Sequence, residues 1–401
     1  MTLTSVAPER PAMLQMCSSE PYRIFFPLGL LAGITGLLLW PLFLLGLWKT
    51  YPLIVHSRLM IEGFFGAFIL GFLGTAGPRL LNTRPFSLQE VSTLVALYAG
   101  AIGLHLASRT LDGDILFLCL LLSFAAILGT RLGAGGEIPP PNFVLVGFGM
   151  FSAIAGTTLL ILGSIIPAAP WLYSFGGLLL NQGFILLPVI GVGAFLFPRF
   201  LGVPFGAELA EMRKMSPLWR RRAWIAAVTG IAIIASFVLE TFGYLRLAGA
   251  LRLCATTAYI VSQMPSVLKI SRAPFLGQCI RVSTWMLLLG LAWPIFLPAY
   301  RVAGLHLVFI GGFMLATLTV ATRVILGHSG QADRLRKPLP FSIAAGVLLL
   351  IGMGARIGAD FMPSVGGRNA HLLYGALLCV VAALIWGVRL VPRVLVPAPE
   401  D

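Results

Sequence analysis

Four side chains in one short stretch have types and spacings suited to binding a metal or a charge. His56 and Met60 are four residues apart, which places an imidazole and a thioether one turn apart on one helix face. Such a pair can ligate copper or supply an axial ligand to a haem iron. Arg58 and Glu62 share that spacing and can form a local ion pair. The alternative is a hydrogen-bonded interfacial histidine beside a packing methionine.

Further charges fall inside stretches that are otherwise apolar. A charge in the centre of a spanning helix costs roughly 2.5–3.5 kcal/mol on insertion scales, so such residues normally face a partner or a cavity. We therefore predict a polar membrane site formed by Glu62, Arg252, Arg356 and Asp360. Because Arg356 and Asp360 are four residues apart, a self-neutralised pair is an equal alternative for them.

Transmembrane helices must position these residues. Hydrophobic residues make up 58% of the 401 positions and charged residues 10%, whereas a soluble domain carries roughly 25% charged residues. A spanning helix needs about 20 apolar residues. The sequence thus predicts an all-α polytopic membrane protein of about twelve transmembrane helices. The predicted spans are 24–47, 54–77, 88–108, 111–129, 142–164, 171–197, 223–243, 244–268, 279–299, 302–326, 339–360 and 369–391.

The positive charges predict the orientation. Of the 28 lysines and arginines, 19 fall on the side that holds both termini and 6 on the other, with Arg252, Arg323 and Arg356 inside spans. By the positive-inside rule both termini are cytoplasmic, as expected for a multi-pass protein of the cell inner membrane. We predict a cytoplasmic segment over 1–23, one transmembrane domain over 24–391 and a cytoplasmic tail over 392–401.

Composition and motifs also exclude several classes. The positive charges behind the net charge of +14 lie mostly in short loops between apolar runs. This arrangement indicates that the chain's partner is the lipid bilayer and not a nucleic acid. The five cysteines are scattered without a CxxC pair, which argues against a disulfide framework, a zinc ribbon or covalent haem. With no nucleotide-binding loop and no nucleophile–base arrangement, the sequence indicates neither an ATPase nor a hydrolase.

Two segments resemble the NnrS family of haem- and copper-containing membrane proteins. HSRLMIEGFFGAFILGFLGTAGP at 56–78 resembles the second-helix motif HxHEMxxGF…GFLxTAxP, although Arg58 and Leu59 replace a His and a Glu. HLVFIGGFMLATLTVATRVILGHSG at 306–330 resembles HAxTxGAxGxMxLxVMxRxxLGHTG, and YRIFF at 22–26 resembles a YRPFF start. The resemblance covers most of the chain.

This resemblance implies b-type haem, with copper as a further cofactor, and a part in tolerance of nitric oxide. His56 and His306 would meet near the outer leaflet as axial ligands, with Met60 as an alternative soft ligand. Arg58 would pair a haem propionate, because its fork suits carboxylates. His328, at the other end of the same helix as His306, is either a second metal ligand or a histidine at a Gly-bounded helix C-terminus.

Two other functions remain open from the sequence. In a cofactor-free transporter or channel for a small molecule or ion, Arg58, Glu62, Glu240, Arg252 and Asp360 would line one outward-opening cavity. In a structural subunit, the chain would pack against membrane-protein partners in a larger complex.

Overall fold

The computed structural model describes residues 13–134, 137–204, 215–270 and 272–397. Within these residues a short helix, Met13–Ser19, precedes twelve long helices that coincide with the predicted spans. The long helices are α1 Tyr22–Leu44, α2 Leu53–Leu80, α3 Leu88–Leu106, α4 Thr110–Gly129, α5 Pro141–Ile165, α6 Pro170–Phe200, α7 Pro217–Thr241, α8 Leu245–Gln263, α9 Phe275–Phe296, α10 Pro298–His328, α11 Pro340–Ala359 and α12 Val365–Leu395. Residues 1–12 of the predicted N-terminal segment and 398–401 of the predicted tail lie outside the described residues.

The predicted class, an all-α polytopic membrane protein, is confirmed. Ten of the twelve long helices are long and apolar enough by themselves to cross a membrane. The two below that standard are α3 and α8, which carry polar groups such as Glu90 and His105 in α3 and Arg246 and Arg252 in α8. Partners on neighbouring helices satisfy several of these groups.

Three helices form the interior of the bundle. The apolar windows of α2, α6 and α10 are 78%, 78% and 72% buried, whereas no other candidate span exceeds 50%. The remaining helices surround them, and the last helix, α12, packs against α1. Three outer helices separate one inner helix from the next along the chain, so every fourth helix lies in the centre.

Each inner helix contains a π-helical segment, at Leu59–Phe65, Leu179–Gly183 and Leu307–Met314. A Gly–Phe pair lies within or at the end of each segment. A Cβ added at Gly63 would lie 2.8 Å from the Ala32 Cβ, so that glycine permits the close approach of α1. Because a π turn holds more residues than an α turn, side chains beyond it point in directions that a 3.6-residue period does not give. Such segments are frequent at functional sites.

The ends of the helices define two ends of the bundle. The start of α1 and the end of α12 lie together, since Arg23 Nη1 donates to the Val396 carbonyl over 2.9 Å. We call this the inner end, following the charge-based prediction, and the opposite end the outer end. The starts of α2 and α10 and the end of α11 lie at the outer end.

Candidate ligand-binding cavity

A cavity of about 1180 Å³, including its open mouth, lies at the outer end between α1, α2, α10, α11 and α12. We call it the outer cavity. His56 and His306 both line it, so the predicted convergence of α2 and α10 brings these histidines to one space. Met60 lines it as well, from the same helix as His56.

The two histidines are held in the same way. His56 Nδ1 lies 2.9 Å from the Gly36 carbonyl oxygen, and His306 Nδ1 lies 2.8 Å from that of Val302. A carbonyl only accepts, so each Nδ1 carries the proton and the Nε2 lone pair stays available. Neither Nε2 has a hydrogen-bond partner within the described part of the chain. This is the arrangement in which a protein presents a histidine to a metal.

Three sulfur atoms accompany these imidazoles. Met60, Met314 and Cys379 line the outer cavity from α2, α10 and α12. Thioethers and thiols are soft ligands that suit copper(I). Met60 was predicted as a ligand from the sequence, whereas Met314 and Cys379 were not. Met314 could have been found from its place in the α10 motif, whereas Cys379 stands alone in an apolar run.

The rest of the outer cavity is apolar apart from one charge. Trp40, Phe65 and Phe309 contribute aromatic walls, and Asn181 adds an amide from α6. Of the lining residues that the structure describes, only Arg356 carries a permanent charge.

Arg58 belongs to a different site from His56. Its Nε and Nη2 donate to the two carboxylate oxygens of Asp114 over 2.6 and 2.9 Å, and its Nε lies 3.1 Å from Glu62 Oε1. The i,i+4 pair with Glu62 is thus present as predicted. The expectation that Arg58 meets a propionate disagrees with this geometry, because Arg58 is 3% exposed, does not line the outer cavity, and Asp114 already fills its fork.

The Arg58 cluster comprises Arg58, Glu62, His105 and Asp114, from α2, α3 and α4. His105 Nε2 lies 2.9 Å from Glu62 Oε2, and the ring sits over Gly113, where any Cβ would collide with it. Atoms of Glu62, His105 and Asp114 come within 4.8 Å of one another, a spacing that could hold a metal ion. The guanidinium already brings a positive charge to that place, and His105 Nδ1 lacks the hydrogen bond that normally supports a ligating histidine.

Sequence reasoning missed both His105 and Asp114 as partners of Arg58. Asp114 lies in the first turns of α4, where an acid is expected for the helix dipole alone. His105 lies in the last turn of α3.

Arg252 forms a third polar group, between α6, α7 and α8. It donates to Ser236 Oγ over 3.0 Å, to Gln182 Oε1 over 2.7 Å and to Glu240 Oε2 over 2.6 Å. The predicted polar membrane site is therefore divided. Glu62 belongs to the Arg58 cluster, Arg252 has its own partners, and Arg356 pairs with Asp360 over 3.1 Å beside the outer cavity. Among the described residues, the charges that a transporter was expected to gather in one cavity lie in three separate places, and Glu240 and Arg252 line a small pocket of their own.

His328 lies at the inner end, in the inner-end cluster with Glu20, Arg23 and Arg79. His328 Nδ1 lies 2.8 Å from Glu20 Oε1, and Nε2 lies 3.1 Å from Arg79 Nη1. Arg79 also contacts Glu20, and Arg23 Nε donates to Glu20 Oε2 over 2.6 Å. Both ring nitrogens of His328 are thus occupied by protein partners, and sequence reasoning missed Glu20 as the acid that joins them.

Glu20 precedes the first spanning helix, and its ionisation is strongly perturbed. Burial alone would raise the pKa of the Glu20 carboxyl. The hydrogen bond from His328 and the positive charges around it outweigh burial and lower the pKa to about 2. The carboxylate therefore stays ionised and ties α1, α2 and α10 together at the inner end.

The fold and the cavity define a polytopic membrane protein. At one end of its bundle, two inner helices each contribute a histidine to a shared cavity. The family profile described as NnrS protein matches residues 17–397, and the chain belongs to the NnrS family. Members of this family are membrane proteins linked to the response to nitric oxide, and the family is known for haem and copper binding. A search of curated proteins found no match.

The residues of the outer cavity fit a haem. Two imidazole Nε2 atoms are available on two facing helices, the walls are aromatic and aliphatic, and Arg356 supplies a positive charge for carboxylates.

Proposed function

We propose that the chain binds b-type haem in the outer cavity and acts in tolerance of nitric oxide and nitrosative stress. The observation that carries this proposal is the matched pair of histidines. His56 and His306 each hold Nδ1–H on a backbone carbonyl and leave Nε2 available at one cavity. Haem, if bound, would be held by both imidazoles, so a small diatomic molecule would have to replace one of them on the iron.

The protein's own residues would position and shield the ligand. The Gly36 and Val302 carbonyls fix the orientation and tautomer of the two imidazoles, which keeps the donor atoms preorganised. With a ligand bound, the aromatic walls would keep water from its faces, which would strengthen the polar contacts there. Nitric oxide is small and lipid-soluble, so it can reach a cavity inside the membrane from the bilayer.

Copper is the second candidate ligand for the same cavity, and a specific observation favours it. Met60, Met314 and Cys379 line the same cavity as the two histidines. This mixture of soft sulfur and imidazole donors suits copper(I). We further propose that the protein lies in the inner membrane with both termini cytoplasmic and packs against membrane-protein partners.

The test is a pyridine-haemochrome spectrum, with iron and copper contents, of protein purified in detergent. Wild type is expected to carry b-type haem, and His56→Ala and His306→Ala are each expected to lose most of it. His371→Ala is the matched control, because His371 also lies at the outer end and bonds a carbonyl through Nδ1, but does not line the cavity. A wild type without haem, or an unchanged haem content in both cavity variants, would contradict the haem site. Copper without iron would support the second candidate.

A further inference from the structure

Arg356 uses fewer of its donors than Arg58 and Arg252 do. A guanidinium offers five N–H donors. Arg58 donates two hydrogen bonds to Asp114 and also lies against Glu62. Arg252 donates to three separate side chains. Arg356 has one hydrogen bond within the described residues, from Nη1 to Asp360 Oδ1.

The position of Arg356 explains what its remaining donors can meet. It lies near the end of α11 and lines the outer cavity together with His56 and His306. Its side chain is 16% exposed, so it is largely withdrawn from the surroundings while it faces that space. Most other lining side chains are aliphatic, aromatic or sulfur-containing and offer no anion to pair with it.

A positive charge in such a place is costly unless an anion accompanies it. Asp360 neutralises the charge in part, but it occupies one nitrogen and leaves the rest of the fork without an acceptor. A second carboxylate could complete the fork and would sit beside two histidine donors.

We infer that Arg356 binds a carboxylate of the ligand in the outer cavity. This inference rests on the proposed function and deepens it: for haem, the carboxylate is a propionate. The site would thereby select an acidic ligand over a neutral one. The residue for this role is Arg356 on α11, in place of Arg58 on α2, which the sequence had suggested.

Haem and its dimethyl ester form a matched pair of probes. The ester keeps the iron and the ring and lacks the negative charges. Titration of purified, haem-depleted protein in neutral detergent, followed by absorbance, gives a Kd for each. Wild type is expected to bind haem about tenfold or more tightly than the ester, as a charge-assisted hydrogen bond gives.

The variants then assign the preference to one side chain. Arg356→Gln should weaken haem binding by about tenfold and leave ester binding nearly unchanged, so that the preference disappears. Arg356→Lys should recover part of the preference, because it keeps the charge and loses the fork. Arg368→Gln is the control, since Arg368 is exposed at the outer end and does not line the cavity.

The outcomes separate this inference from the proposed function. If wild type binds neither probe, the proposed function fails. If wild type binds both probes equally, or if Arg356→Gln keeps the full preference for haem, the inference is overturned while the haem site stands. If Arg356→Gln does not fold, the ratio of the two Kd values is compared between wild type and Arg356→Lys. A smaller preference for haem in Arg356→Lys supports the inference, and an equal preference overturns it.

Discussion

The outer cavity and the Arg58 cluster share helix α2, and their polar atoms are in opposite situations. His56 and Arg58 are two residues apart on α2, yet His56 presents an available nitrogen to a large cavity while Arg58 is enclosed by carboxylates. Polar atoms already matched by protein partners hold the helices together. Polar atoms left available at a cavity are the ones prepared for a ligand.

The same contrast separates the two ends of α10. His306 keeps Nε2 available at the outer cavity, whereas His328 has both ring nitrogens against Glu20 and Arg79. A single helix therefore carries a histidine suited to ligation and a histidine that links three helices. We therefore expect substitutions of the paired groups to change stability and substitutions of the available groups to change ligand binding.

The largest effect on stability is expected from Arg58→Ala. This substitution leaves the carboxylates of Glu62 and Asp114 buried without their counter-charge, which typically costs about 3–5 kcal/mol. Unfolding of the purified protein in mixed micelles measures the change. Arg109→Ala is the control, because Arg109 forms an exposed pair with Asp112, and such pairs contribute little. Equal effects of the two substitutions would contradict the structural role of the Arg58 cluster.

A smaller and pH-dependent effect is expected from Glu20→Gln. The pKa of Glu20 is lowered from 4.5 to about 2 in the folded protein, so its stabilising contribution is complete above pH 4.5. That contribution is lost as the pH falls towards 2, because protonation of Glu20 then removes the negative charge that His328, Arg23 and Arg79 stabilise in the folded protein. The difference in unfolding free energy between wild type and Glu20→Gln should therefore shrink across this window. A difference that stays constant with pH would refute the assignment.

The smallest stability effect is expected from His328→Gln. The amide can replace part of the hydrogen bonding to Glu20 and Arg79, so the loss should be about 1 kcal/mol, typical of one hydrogen bond. The haem content should not change, since His328 lies at the other end of α10 from the outer cavity. Loss of haem together with unchanged stability would reverse the contrast between the two ends of the helix.

Much of the fold followed from the sequence, because apolar length determines where a helix can cross a membrane. The predicted spans coincide with the twelve long helices, and His56 and His306, which the resemblance placed near each other, line one cavity. The i,i+4 pairs Arg58–Glu62 and Arg356–Asp360 are also present. Local spacing and apolar length are properties that a single sequence displays directly.

The side-chain contacts that join different helices could not be predicted in the same way. Arg58 meets Asp114, 56 positions away, and His328 meets Glu20, 308 positions away. Such contacts depend on how each helix is rotated, and the π segments change that rotation inside α2, α6 and α10. This is why Arg58 was expected at a propionate and Arg356 was expected only in a general polar site.

The central claim is that His56 and His306 hold one haem iron between α2 and α10. Electron paramagnetic resonance of the oxidised, purified protein tests it most directly, because two imidazole ligands give a low-spin iron signal. We expect a low-spin signal in wild type and in His371→Ala, and its loss, with high-spin iron or no haem, in both His56→Ala and His306→Ala. An unchanged low-spin signal in either cavity variant would show that this histidine is not a ligand and would contradict the account.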